Sequence, residues 1–164
     1  MLNRSAGLLA IACFMVLGGA LTACATKANA PAMPHASPPT ASQLQAFRWT
    51  LDSASDGQGQ AMAVLFPRAD RRFVMEFMAD RMAVSGGCNS LGGNYRTLDA
   101  GMLEVGPLMG TRKGCEAPLM EAETAISALL AQPLQSLLAA GSPPVLRLVS
   151  SQGQTLVWTG TPKP

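Results

Sequence analysis

Four cysteines, one histidine and ten carboxylates are the side chains from which a reactive centre would have to be assembled. Cys88 lies in a glycine-rich run with Gly86, Gly87 and Asn89, and Gly92 and Gly93 follow it. Cys115 closes a second run that starts at Met109 and includes Thr111, Arg112 and Lys113. A cysteine nucleophile needs its thiol pKa lowered by nearby cations or a helix N-terminus. Arg112 and Lys113 precede Cys115, and a helix is predicted directly after it, so those ingredients exist. Neither cysteine belongs to a CxxC motif, and the single histidine, His35, sits in a proline-rich stretch before the domain. A Ser-His-Asp or Cys-His relay therefore has no base. Two thiols without a domain histidine do not complete a zinc site, so neither a metal nor a cofactor is expected. The acid pairs Asp99/Glu104 and Glu121/Glu123 have glycosidase chemistry, but strand and helix surfaces ordinarily carry such charges. Asn89 and Thr111 read as loop organisers, since Asn bonds its own turn and Thr caps a following segment. These residues point to a structural pair of loops, and no enzyme is expected.

The remaining cysteines give an address. Arg4 supplies a positive n-region, residues 6–21 are apolar and rich in small residues, and no stop-transfer segment follows. That is the pattern of a secretory signal peptide over residues 1–23, which contains Cys13. Leu21, Thr22, Ala23 and Cys24 resemble the bacterial lipobox. The resemblance implies a thioether-linked diacylglycerol on Cys24 and an N-acyl chain such as palmitate, with each buried CH₂ contributing about 0.8 kcal/mol. Position 25 is Ala, not the Asp of an inner-membrane retention signal. By the same resemblance the expected location is the periplasmic face of the outer membrane. Cys88 and Cys115 are left, and an oxidising envelope favours a disulfide between them. It would close a loop of about 27 residues, for which chain entropy gives roughly 3.5 kcal/mol. A reduced structural pair and a reactive dithiol are the alternatives.

Loss of the signal removes Arg4 from 12 basic residues and none of the 10 acids, leaving 11 − 10 = +1. Arg68, Arg71 and Arg72 cluster, but Asp70 interrupts them, so nucleic acid is excluded as a partner class. Residues 25–43 hold four prolines and no aliphatic side chain larger than Met33. They read as a tether able to reach roughly 60 Å at about 3.1 Å per residue. The expected organisation is a signal peptide (1–23), a lipidated Cys24 with its tether (24–44), and one domain (45–160), long enough for a single core.

Positioning the two cysteine loops falls to short strands. Phe47, Trp49 and Leu51 alternate on one strand face. Further strands are predicted over residues 62–66, 72–78, 81–85, 94–98 and 102–105, with turn signals between them, the pattern of an antiparallel β body. From Glu116 the apolar period changes to that of a helix, with Leu119, Ala122, Ile126, Leu129 and Leu130 on one face and Pro133 limiting its end. Pro118 suits its first turn, and Glu116, Glu121 and Glu123 its N-terminal half. Leu134, Leu137 and Leu138 read as a short further turn, and residues 145–149 and 155–158 as a closing hairpin.

Together these residues resemble the META domain, or HslJ-like, family over residues 46–158. The resemblance is carried by the opening Phe47, Trp49 and Leu51 strand and by Gly86, Gly87, Cys88 and Asn89 with downstream Gly93 and Tyr95. Thr111 and Arg112 ahead of Cys115, Glu121 and Glu123 on the helix, and the strands ending in Leu148 and Trp158 complete it. It implies an α+β fold, mainly β: a strongly curled, barrel-like antiparallel sheet packed against a single α-helix. It also implies a non-catalytic envelope protein, in some members stress-induced. The expected function is a monomeric binding or scaffold module, held to the membrane by acylated Cys24 and contacting an envelope protein. A carrier of small apolar ligands and an inhibitor of an exported hydrolase such as lysozyme are the alternatives.

Overall fold

The computed structural model describes residues 35–164. The predicted signal peptide, Cys13 and Cys24 lie outside the described residues. Ten strands form one sheet. They are β1 (Ala36–Ser37), β2 (Phe47–Ser55), β3 (Val74–Phe77), β4 (Arg81–Ser85), β5 (Leu91–Thr97), β6 (Met102–Val105), β7 (Met109–Gly110), β8 (Leu134–Ala139), β9 (Val145–Ser150) and β10 (Thr155–Pro162). Among the described residues two α-helices accompany them, α1 (Ala41–Gln45) and α2 (Ala117–Leu130).

Every pairing is antiparallel, in the order β8-β6-β5-β4-β3-β2-β10-β9, and β9 pairs back along the whole of β8. The sheet thus closes into a barrel of eight strands, to which β1 and β7 add short edges. An interior of that size is just filled by side chains. Burial alternates along β8 and β9, as a half-buried strand requires. Trp49, Trp158, Phe77, Met75, Met82 and Leu51 are among the fully buried side chains that fill the barrel. The interior that the carrier alternative takes as a cup is lined by these side chains.

The weakest seam joins β6 to β8, with only Met102↔Gln135 and Leu103↔Leu134 in register. Helix α2 enters the sequence between these two strands. Its buried Ala122, Ile126, Leu129 and Leu130 belong to the same core as the barrel interior. The helix closes one end of the barrel, beside the 3-10 turn Ala63–Leu65. Pro118 stands in its first turn and Glu116 is its N-cap, so the acids predicted to serve its N-terminus lie outside that turn. Among the described residues, no helix is long and apolar enough to cross a membrane.

Three expectations are corrected. Residues 36–44, read as the end of the tether, are part of the fold: β1 pairs with β8, and α1 buries Leu44 completely. Thr40 and Gln43 form a capping box, which stabilises this short helix despite the preceding prolines. Residues 62–66 form no strand but the 3-10 turn, in which Leu65 is the buried residue. A short apolar run carries no period that separates the two. Leu134, Leu137 and Leu138 belong to β8, not to a helical turn. The buried face of β8 includes Ser136, whose Oγ donates to Gly101 O at 2.6 Å, while Leu137 faces outward. That exchange of polar and apolar positions hides the alternation.

Candidate functional site

The antiparallel order puts the β2–β3, β4–β5 and β9–β10 connections and the start of α2 at one barrel end, together with residues 106–116. The β4–β5 loop reaches its shape through glycine. Gly86 has φ +101°, and a Cβ there would lie 2.1 Å from Arg72 O. An L side chain meets both strain and a backbone clash at that position. Gly87 packs closely too: a Cβ would stand 3.0 Å from Phe73 Cε1 and 3.3 Å from Glu123 Oε2. The chain then presents Cys88 to the second loop, where it is bonded to Cys115 with the Cα atoms 5.8 Å apart. The disulfide expectation holds, and the reduced-pair and dithiol alternatives do not describe this structure.

Asn89 joins three segments. Its Oδ1 accepts from Thr111 Oγ1 at 2.8 Å and from the Lys113 N–H at 2.8 Å. Its Nδ2 donates to Glu123 Oε1 at 3.0 Å, and its own N–H donates to Glu123 Oε2 at 2.5 Å. Both oxygens of the α2 carboxylate are thus held by one residue of the β4–β5 loop. Charge-assisted bonds of this kind are stronger than neutral ones. A short ladder completes the tie: β7 pairs Gly110 with Leu91 and Met109 with Gly92. Gly110 packs closely there: a Cβ would come 2.7 Å from Leu91 Cδ2 and 3.2 Å from Ser90 O.

Gly86, Gly87, Cys88, Asn89, Thr111 and Cys115 are therefore brought together, and Arg112 lies exposed on the same loop. Glu123 is the member that sequence reasoning assigned to the helix instead. Its link to Asn89 spans 34 residues and has no local signature. Gly93 serves a neighbouring contact, where a Cβ would sit 3.0 Å from Pro107 O. Tyr95 lies toward the other end of β5. Its hydroxyl donates to Met78 O at 3.0 Å and accepts from Gln45 Nε2 at 3.0 Å, so it docks α1 against the β3–β4 turn.

Chemically this end is a shaped surface. Its two sulfurs are consumed by each other, and His35 lies on the chain ahead of β1. Among the described residues no three His, Cys, Asp or Glu side chains stand close enough to hold a metal ion. Arg68 and Asp70 form an exposed pair nearby. The hydrogen bond from Arg68 holds the Asp70 carboxyl below its ordinary range, and the same bond raises the guanidinium. Three apolar side chains are exposed on the 3-10 turn, α2 and β7: Val64 at 41%, Met120 at 48% and Met109 at 78%.

The META domain sequence profile matches residues 42–163. A protein from Burkholderia xenovorans, solved by NMR, is similar to this chain with a TM-score of 0.69 and 25% identity. The match covers 84% of this chain and 96% of that one. A DUF4847 family protein from Bacteroides vulgatus ATCC 8482, seen in a crystal structure, shares the fold alone. Its TM-score is 0.51 at 11% identity, over 75% of this chain and 98% of that one. No curated protein matches the chain by sequence.

Proposed function

The chain belongs to the META domain family, and from that premise we propose a non-catalytic binding module of the bacterial envelope. In this reading acylated Cys24 anchors the protein to the periplasmic face of the outer membrane, and the barrel end with the disulfide recruits an envelope protein. The observation that supports it most directly is Met109, 78% exposed on a strand that pairs with β5 beside the braced loops. The disulfide and the Asn89–Glu123 link keep that surface in one shape without burying it. A preformed loop surface avoids part of the ordering cost of association. A flexible thioether on it adapts to varied apolar partners.

The test is site-specific photocrosslinking in intact cells. A benzophenone amino acid replaces Met109, Met120 or, as a control on the barrel wall, the exposed Ser53. A discrete protein adduct is expected from positions 109 and 120, weakened when Cys88 and Cys115 are both changed to Ser. Adducts of equal yield from position 53, or an adduct indifferent to the disulfide, refute the reading.

A further inference from the structure

We propose that the opposite end of the barrel seats on a lipid bilayer, with the disulfide loops directed away from it. This end is formed by α1 and the connections over residues 78–80, 98–101 and 140–144. The inference rests on the acylation of Cys24 and adds to it an orientation and a second, lipid-facing surface.

The point where the chain enters the fold comes first. β1 meets β8 at its last residues, Ala36↔Ala139 and Ser37↔Leu138. Pro38 then packs on the β5–β6 turn, where a Cβ on Gly101 would be 2.7 Å from Pro38 Cβ. Helix α1 follows and is tied to the same end, with Gln45 Nε2 donating to Ala79 O and to the Tyr95 hydroxyl. Lys163 Nζ donates to Phe77 O at 2.8 Å beside them. The described chain therefore enters the fold at this end.

Length favours one orientation. Twelve residue steps separate Cys24 from Ala36, and a fully extended chain spans at most about 40 Å over them. β2, the longest strand, has nine residues and covers about 30 Å at some 3.3 Å each, so passing it would draw the tether out to about three quarters of its limit. Laying the disulfide end on the bilayer would require the tether to retrace most of the barrel wall. With the α1 end down, no such path is needed. The tips at that end suit the contact: Met78 is 46% exposed and Leu98 is 42% exposed, on two different turns. Charges around them balance, with Asp80 and Asp99 against Arg81 and Lys163. Contact there is apolar in character and insensitive to salt.

Hydrogen exchange read by mass spectrometry tests this on the full-length acylated protein, bound to vesicles of phosphatidylethanolamine and phosphatidylglycerol. The Cys24→Ala protein in solution is the reference. Amides in residues 78–80, 98–101 and 140–144 are expected to slow by about five-fold or more on vesicles. Residues 86–90 and 109–116 should exchange at the reference rate, and 0.5 M salt, about ten-fold above low-salt buffer, should change neither result. Met78→Ser with Leu98→Ser should still float with vesicles but lose the slowing. Slowing at the disulfide loops, uniform exchange on floated protein, slowing that follows protein concentration without vesicles, or a serine variant that behaves as wild type overturns the orientation. Failure of the wild-type protein to float overturns the acyl anchor itself, which separates the two failures.

Discussion

At the disulfide end the loops are tied by half-buried groups, Cys88 to Cys115 and Asn89 to Glu123. At the α1 end the ties are buried: Leu44 and Trp49 are 0% exposed and Tyr95 is 8% exposed. Trp49 Nε1 donates to Leu44 O at 2.9 Å, and its ring lies where a Cβ on Gly160 would meet Cζ3 at 2.9 Å. Phe77 packs edge-on to Tyr95 with centroids 4.8 Å apart. Burial of apolar area supplies its own stabilisation, at about 25 cal/mol per Å². A loop that must remain on the surface has no such source, and a covalent bond with an internal hydrogen-bond network takes its place. The disulfide end is thus held in shape while staying accessible, the property expected of a recognition surface.

The largest effect belongs to the buried end. Trp49→Ala is expected to cost about 3–5 kcal/mol in urea unfolding, because it opens a cavity and strands Leu44 O. Replacing Cys88 and Cys115 together by Ser should cost about 3.5 kcal/mol, chiefly by freeing the unfolded chain. Exchange separates the two changes. The double serine variant should lose protection in residues 86–90 and 109–116 while residues 41–51 keep theirs. Loss of protection at both ends in that variant would mean that the disulfide also holds the α1 end, and the contrast would fail.

The same contrast explains what the sequence made legible. The glycine-cysteine run, the helix face of α2 and the closing hairpin follow local rules, and they appear where the residues place them. Buried ties at the α1 end were harder to read. Pro38 and Pro39 masked α1, although Thr40 and Gln43 held its capping box in plain spacing. Tyr95 appeared within a loop motif, yet it works at the other end of its strand. Ser136 and Leu137 inverted the expected pattern of β8, since a hydroxyl that reaches Gly101 O is satisfied indoors. Glu123 gave no local sign at all, because its partner is set by the barrel closing.

The smallest predicted effect probes that last tie and carries a sign. Asn89→Asp keeps an acceptor for Thr111 Oγ1 and the Lys113 N–H but replaces the Nδ2 donor, 3.0 Å from Glu123 Oε1, with a second carboxylate oxygen. Two carboxylates so close share a proton, and the pair's folded pKa rises above its unfolded value. A raised acid pKa means that the folded state binds more protons than the unfolded one, so stability falls as pH rises through that window. The variant should lose about 2 kcal/mol at neutral pH, a figure already reduced for partial exposure, and recover much of it on acidification. Combining Asn89→Asp with Glu123→Gln restores a donor opposite an acceptor with the polarity reversed. That double variant should regain stability at neutral pH and lose the pH dependence. Urea midpoints of the three proteins across the acid range check it, and a single variant as stable as wild type throughout would mean that the disulfide alone holds the loops.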